Sequence, residues 1–238
     1  MLTNRLKNYE LDIIKQFDLL LPISSIEEKY FKDNSLNKCI YLPFGIENIE
    51  IEISENKFQE NSCYHIGSME WAPNIEGVQW FLNDVWESAK DKLPNVVFYL
   101  AGRNMPASLL KKENSQLDVV GEVEDFVTFS LEKNIMIVPL LSGAGIRVKI
   151  IEAMNLGKTI ITTSVGAEGI DATHQKNIFI CDTPQSFIET LVFCFENKEK
   201  SLQVGSAAKE FAQSNFCKQK IYQKIIEDLK YFLETENV

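Results

Sequence analysis

From Ser62 onward the chain repeats one unit: a short apolar run, a glycine or proline, then a stretch with helical spacing. The apolar runs lie at 62–66 (SCYHI), 95–100 (NVVFYL), 117–120 (LDVV) and 135–138 (IMIV), and they end at Gly67, Ala101-Gly102, Gly121 and Pro139. Two further strands are expected at 159–163 and 177–181. Over 74–90, Ile75, Val78, Phe81, Leu82 and Val85 share one helical face. Helices are also expected at 124–132, at 146–156 with Gly157 as its stop, and at about 184–198, 201–213 and 218–235. Strand and helix alternating through short loops dictate a parallel sheet with helices on both faces, an α/β fold. The unbroken apolar runs suit strands buried on both sides. In such sheets ligands sit beyond the carboxyl ends of the strands. The turns at Gly67, Gly102, Gly121 and Pro139–Gly143 are therefore the places to look for a site.

Residues 1–45 form a separate, short αβαβ piece. A helix over about 3–16 precedes a strand Leu19–Ile23, and a helix over 25–32 precedes a strand at 39–42 that ends in Pro43-Phe44-Gly45. Two strands and two helices bury too little to stand alone, so the piece reads as the tail end of a domain whose beginning is absent. Residues 46–61 are polar and acidic and read as a linker, and 62–238 as the main domain with its C-terminal helices.

Composition removes several function classes. Hydrophobic residues make up 45% and charged residues 24%, which excludes a disordered chain. A net charge of −10 disfavours nucleic acid and anionic membrane surfaces, both of which need clustered Lys and Arg. The five cysteines, Cys39, Cys63, Cys181, Cys194 and Cys217, are scattered and never form C-x-x-C, so neither a disulfide framework nor a zinc site is expected. No apolar run has the length of a transmembrane helix, and the polar start MLTNRLKNYELDIIKQ is no signal peptide. The expected location is cytoplasmic.

The segment richest in chemistry is Pro139–Gly157, PLLSGAGIRVKIIEAMNLG. A Ser142-Gly143-Ala144-Gly145 turn leads into a helix whose free N–H groups and dipole favour phosphate. Arg147 and Lys149 add positive charge, and Glu152 has the reach to accept hydrogen bonds from the vicinal hydroxyls of a ribose. Phosphate beside ribose means a nucleotide. The same pattern also fits a plain capped helix with solvated charges. Two lesser candidates are Gly67–Asn74, with Asn74 as N-cap, and Gly102-Arg103, where Arg103 would reach an anion. There is no D-x-D pair, and His65 and His174 have no metal-ligand neighbours in sequence. The G-x-G at 143–145 lacks the third glycine of the dinucleotide fingerprint, Val148 standing in its place. That argues against a nicotinamide enzyme.

Taken in order, these motifs resemble the C-terminal, donor-binding half of group 1 retaining glycosyltransferases, whose GT-B fold sets two Rossmann-like domains across a cleft. The resemblance runs through YELDIIKQFDLLLPIS (9–24), YLPFG (41–45), HIGSMEWAPN (65–74), LAGR (100–103), VGE (120–122) and, most specifically, GAGIRVKIIEAM with the GK and GAEG that follow. It implies that Glu152 binds the donor ribose, that Ser142–Gly145 is the diphosphate loop, that Gly121–Val123 contact the base and that Gly67 and Ser68 face the phosphates. It implies a glycosyltransferase of hexosyltransferase type in polysaccharide biosynthesis, with a nucleotide sugar as substrate and neither cofactor nor metal. Two departures stand out. The first glutamate of the family's E-x7-E motif is replaced by Ala144, and the arginine and lysine expected after the first strand are replaced by Ser68 and the Ala72-Pro73-Asn74 run. Arg147 and Lys149 are expected to take over neutralising the leaving diphosphate, which makes them the catalytic candidates. The family's acceptor-binding domain is expected to precede residue 1. Without it the chain is expected to be inactive in isolation and to self-associate, or dock its missing partner, through residues 1–45. The rival readings are a non-catalytic nucleotide-sugar-binding subunit or remnant, and an epimerase on the same fold, for which this half offers few acid and base groups.

Overall fold

The computed structural model describes residues 2–34, 38–49 and 58–236. Half of the expected linker, residues 50–57, lies outside the described residues. By contacts the chain divides into two compact units. The larger runs from Asn48 to Asn215; the smaller joins the residues up to Glu47 to those from Phe216 onward.

The larger unit is a six-stranded sheet, all parallel, in the order β3-β2-β1-β4-β5-β6. Its strands are β1 (Gln59–Ile66), β2 (Val97–Ala101), β3 (Leu117–Gly121), β4 (Lys133–Val138), β5 (Thr159–Thr162) and β6 (Phe179–Ile180). This is the doubly wound order, in which the order of strand addition reverses between β1 and β4. The Gly67 and Pro139 turns therefore flank the crevice where such sheets bind ligands. The helices are α3 (Ala72–Trp80), α4 (Glu87–Ala89), α5 (Ala107–Leu110), α6 (Phe126–Leu131), α7 (Val148–Asn155), α8 (Ser164–Ala167), α9 (Pro184–Glu196) and α10 (Lys198–Asn215). Between α3 and α4 the chain winds as a π-helix, Phe81–Trp86, which propensity alone does not announce.

Alternate strand residues point to opposite faces. Cys63, Phe98, Ile135, Ile137 and Ile161 enter one core with Phe81, Val85, Trp86, Phe187 and Leu191. Tyr64, Met136 and Ile160, the neighbours of those strand residues, are equally buried but lie outside that core. Burial on both faces accounts for the unbroken apolar runs. At the amino edge of the sheet, Lys158 is buried and donates to the carbonyls of Leu131 and Lys133, at 3.0 and 2.7 Å. That lysine is a structural brace on the edge away from the strand-end turns.

The smaller unit holds α1 (Leu2–Ile13), a 3₁₀ turn at Ile14–Gln16, α2 (Ser25–Asp33) and α11 (Lys218–Glu236). The two expected strands contract to one parallel bridge, Leu20 with Cys39, flanked by hydrogen bonds from Leu20 N to Lys38 O (2.8 Å) and Leu42 N to Pro22 O (2.9 Å). Pro22 has no N–H to extend the ladder. The segment after Gly45 pairs with the start of α11, through Ile46 N to Phe216 O at 2.7 Å and Lys218 N to Ile46 O at 3.0 Å. Leu6, Tyr9, Phe17, Leu21, Ile23 and Ile26 remain exposed.

Candidate functional site

Three glycines at the carboxyl ends of β1, β2 and β3 are zipped together by their backbones. Gly67 N donates to Ala101 O (3.2 Å), Met69 N to Arg103 O (2.9 Å) and Gly102 N to Gly121 O (2.6 Å). A side chain at Gly102 would put its Cβ 1.8 Å from the Gly67 carbonyl oxygen. The close approach that the glycines allow is thus between strand ends, and it fixes the rim on which Gly67 and Ser68 stand.

The Ser142–Gly145 turn lies exposed beyond β4. Arg147 is its internal brace. The residue is only 6% exposed, and one guanidinium nitrogen, Nη1, donates to Ala144 O and Gly145 O, both at 2.7 Å. The other two, Nε and Nη2, are buried and have no hydrogen-bond partner among the described residues. Burial lowers the Arg147 pKa, opposed by the charge of Glu168. Buried donors left open on a cation are costly unless something binds them.

Lys149 reaches back from α7 to the first strand end. Its Nζ donates to Ile66 O and to Asn74 Oδ1, both at 3.1 Å. Burial, reinforced by the charge of Arg147, pulls its pKa down to about 7. Asn74 is buried, and its Nδ2 donates to Ser68 O at 2.8 Å. The expectation of Asn74 as helix N-cap is corrected here. Trp71 holds the cap position, and Asn74 lies inside α3 with its amide spent on the Gly67-Ser68 turn and on Lys149. His65 lies fully buried, its Nδ1 donating to Ile137 O at 2.9 Å. Burial and the nearby Lys149 hold its pKa well below the usual histidine value, so it stays neutral.

Glu152, one turn along α7, is half-buried. Burial raises its carboxyl pKa, and among the described residues its side chain has no hydrogen-bond partner. Glu152→Gln removes a charge that folding partly desolvates. Its folded pKa is raised, so the ionised form destabilises the fold at pH above that value. The substitution is therefore expected to raise the melting temperature of the free chain at pH 7 while weakening nucleotide binding by roughly tenfold or more, the worth of a charged hydrogen bond. Thermal shift with and without nucleotide reads both signs. A variant with lower stability and unchanged affinity would make Glu152 a packing residue.

Gly67, Ser68, Gly102, Gly121, Ser142, Gly143, Ala144, Gly145, Arg147 and Lys149 thus share one rim. Arg103 joins it only through its carbonyl, its side chain being exposed, and Val123 is half-buried past β3. Sequence reading missed the contribution of α3. Trp71 covers Arg147, with 5.2 Å from guanidinium carbon to ring centroid, and Ser142 Oγ donates to Glu76 Oε2 at 2.6 Å. Gly77 packs so closely on Pro139 that a Cβ there would lie 2.2 Å from its carbonyl oxygen. The signal was present as W-A-P-N-x-E-G, but its partners lie some 70 residues away in sequence.

Among the described residues no cluster of three or more His, Cys, Asp or Glu is placed to hold a metal ion, and no helix is long and apolar enough to cross a membrane. No disulfide joins any of the five cysteines.

The family described as "Glycosyl transferases group 1" matches residues 60–197, the whole sheet and α9. The chain belongs to the group 1 glycosyltransferases. A curated relative in this comparison is an uncharacterized 44.6 kDa protein in the cps region of Klebsiella pneumoniae. It is 26% identical over 230 residues, spanning 91% of this chain and 57% of the relative. The fold is that of solved glycosyltransferases. Anabaena Alr3699/HepE in complex with UDP superposes with a TM-score of 0.77 at 14% identity, covering 93% of this chain and 66% of that one. A mutant of TarM from S. aureus, in complex with UDP and other ligands, superposes at 0.76 and 14% identity, covering 93% and 45%. A glycosyltransferase from Rickettsia africae superposes at 0.77 and 14%, covering 97% and 67%. This group 1 chain thus spans a little over half the length of its curated relative and carries the sheet on which the rim is built.

Proposed function

We propose that this chain is the donor-binding half of a retaining glycosyltransferase, which transfers a sugar from a nucleoside-diphosphate sugar to a hydroxyl acceptor in polysaccharide biosynthesis. The observation that carries the reading is the rim itself. Two desolvated cations, Arg147 and Lys149, flank the exposed Ser142–Gly145 turn, and Glu152, a carboxylate with no hydrogen-bond partner among the described residues, stands one helical turn further on. A diphosphate would lie across the turn and the cations, with its ribose on Glu152, Gly121–Val123 beside the base and Gly67 and Ser68 on the phosphate side. The UDP complexes of HepE and TarM, and the cps-region relative, support the class of donor and of product.

In this reading the protein's work is electrostatic. As the sugar–phosphate bond breaks, negative charge grows on the leaving diphosphate, and fixed N–H groups with Arg147 and Lys149 stabilise it without reorganising. Lys149, at a pKa of about 7 in the free site, is drawn to its charged form by the incoming phosphate. In this reading Arg147 and Lys149 supply the positive charge that the leaving diphosphate requires. Nucleoside diphosphate binding is therefore expected to survive excess EDTA in calorimetry, and a strict magnesium requirement would contradict the assignment.

Turnover in this reading needs an acceptor-side domain. The exposed Leu21, Ile23 and Ile26 of the smaller unit offer the apolar surface for it or, in its absence, for a second copy. Ile23→Asp is expected to make an otherwise self-associating chain monomeric by light scattering. A wild-type chain that is strictly monomeric at high concentration would remove the self-association.

A further inference from the structure

Trp71 and Asn74 stand three residues apart where α3 begins, so they share one face of its first turn. Each lies against one of the two cations. The Trp71 ring faces the Arg147 guanidinium, and a Cβ built on Gly143 would stand 3.0 Å from both Arg147 Nη2 and the Trp71 ring. The Asn74 amide oxygen receives Lys149, and a Cβ on Gly67 would meet both Asn74 and Lys149 within about 3.1 Å. Neither cation forms a salt bridge among the described residues, although both are desolvated. The chemistry of the two partners explains why. An aromatic face and an amide oxygen orient a cation without neutralising it. A carboxylate in either place would compete with an incoming phosphate.

We propose that the Trp71-x-x-Asn74 turn is a positioning device for the donor diphosphate, Trp71 holding the Arg147 guanidinium against the Ser142–Gly145 turn and Asn74 holding the Lys149 ammonium beside Gly67. The proposal rests on the nucleotide-sugar reading and adds two residues that act through the cations. It also accounts for the absence of the arginine and lysine expected after the first strand. Their place is taken by the residues that aim cations supplied from α7.

The test is calorimetry on the full chain. The probe is the tightest binder among UDP, GDP, ADP and dTDP, measured against its own nucleoside. Trp71→Ala is expected to weaken the diphosphate about tenfold, as for a desolvated cation–π contact, and the nucleoside less than about twofold. Trp71→Phe, which keeps a ring, is expected to stay within about threefold of wild type. On an Arg147→Met background Trp71→Ala should cost nothing more, and on Lys149→Met Asn74→Ala should cost clearly less than in the wild type, only its hydrogen bond to the Ser68 carbonyl being lost. Trp71 is 39% exposed, so its truncation leaves the core intact. Should Trp71→Ala nonetheless unfold, Trp71→Leu, which keeps bulk without an aromatic face, carries the same expectation. Losses that are equal for diphosphate and nucleoside, or fully additive with removal of the cation, overturn the positioning role. A wild-type chain that binds none of the four diphosphates overturns the nucleotide-sugar reading, and the positioning role with it.

Discussion

Lys149→Met is expected to weaken a nucleoside diphosphate by about 10- to 150-fold, the worth of one charged hydrogen bond at about 1.5–3 kcal/mol. The bare nucleoside should bind nearly as before. The pH dependence sharpens the expectation. In the free chain burial and the Arg147 charge hold Lys149 at a pKa of about 7, and the neighbouring His65 is neutral. A bound diphosphate stabilises the ammonium and raises that value. Below about pH 7 the lysine is charged in both states, and its contribution to affinity is flat. Above it, binding must take up a proton, so affinity falls as the pH rises until the bound form also titrates. At about pH 8 the heat of binding should vary with the ionisation enthalpy of the buffer, by up to one proton per diphosphate. In Lys149→Met this component should vanish. A wild-type chain with no proton uptake at that pH, or a variant that loses nucleoside and diphosphate alike, would remove Lys149 from the phosphate site.

Gly102→Ala carries the largest expected cost in stability. Its φ of +149° is one that side-chain-bearing residues rarely adopt, and its Cβ would lie 1.8 Å from the Gly67 carbonyl oxygen. The clash is with backbone, so neither strand end yields without breaking the hydrogen bonds that zip β1, β2 and β3. Overpacking of this kind costs about 1–3 kcal/mol, and the strained φ adds about 1–3 kcal/mol. The two together come to about 2–6 kcal/mol, and for a chain of this size each kcal/mol lowers the melting temperature by about 2–4 °C, so a fall of roughly 4–24 °C is expected. Gly121→Ala is the matched control. Its φ of +77° is also left-handed, but a Cβ there meets nothing within 4 Å. Only the conformational cost of about 1–2 kcal/mol applies. Calorimetric melting of the two variants separates the contact from the φ. Equal losses would mean that the Gly67–Gly102 approach does not constrain the fold.

Much of the fold and of the rim is legible in the sequence. The apolar runs and the glycine or proline that ends each place β1 to β4 within a few residues, because strands buried on both faces leave an unbroken signature. β5 was equally clear, whereas β6 shrank to Phe179–Ile180 at the sheet edge, where only one neighbour fixes its length. The GAGIRVKIIEAM segment marked the turn and both cations because they are contiguous. What stayed hidden was contact between distant segments. Asn74 reads as an N-cap from its neighbours alone, and only the fold shows its amide joining Ser68 to Lys149. Trp71 reads as a loop aromatic until Arg147 is placed beneath it. Arg147 reads as a free cation, and the fold spends one of its nitrogens on the carbonyls of its own turn. In the smaller unit the apolar runs around Leu20 and Cys39 read as strands, yet they share a single bridge.

The most direct test of the central claim is calorimetric titration of the wild-type chain with UDP, GDP, ADP and dTDP in EDTA at about pH 8, in two buffers of different ionisation enthalpy. The account predicts saturable, metal-independent binding of at least one diphosphate, much weaker binding of its nucleoside, and an apparent heat that differs between the buffers by the uptake of a proton on Lys149. Failure to bind any of the four, or binding of diphosphate and nucleoside with equal affinity, would contradict it.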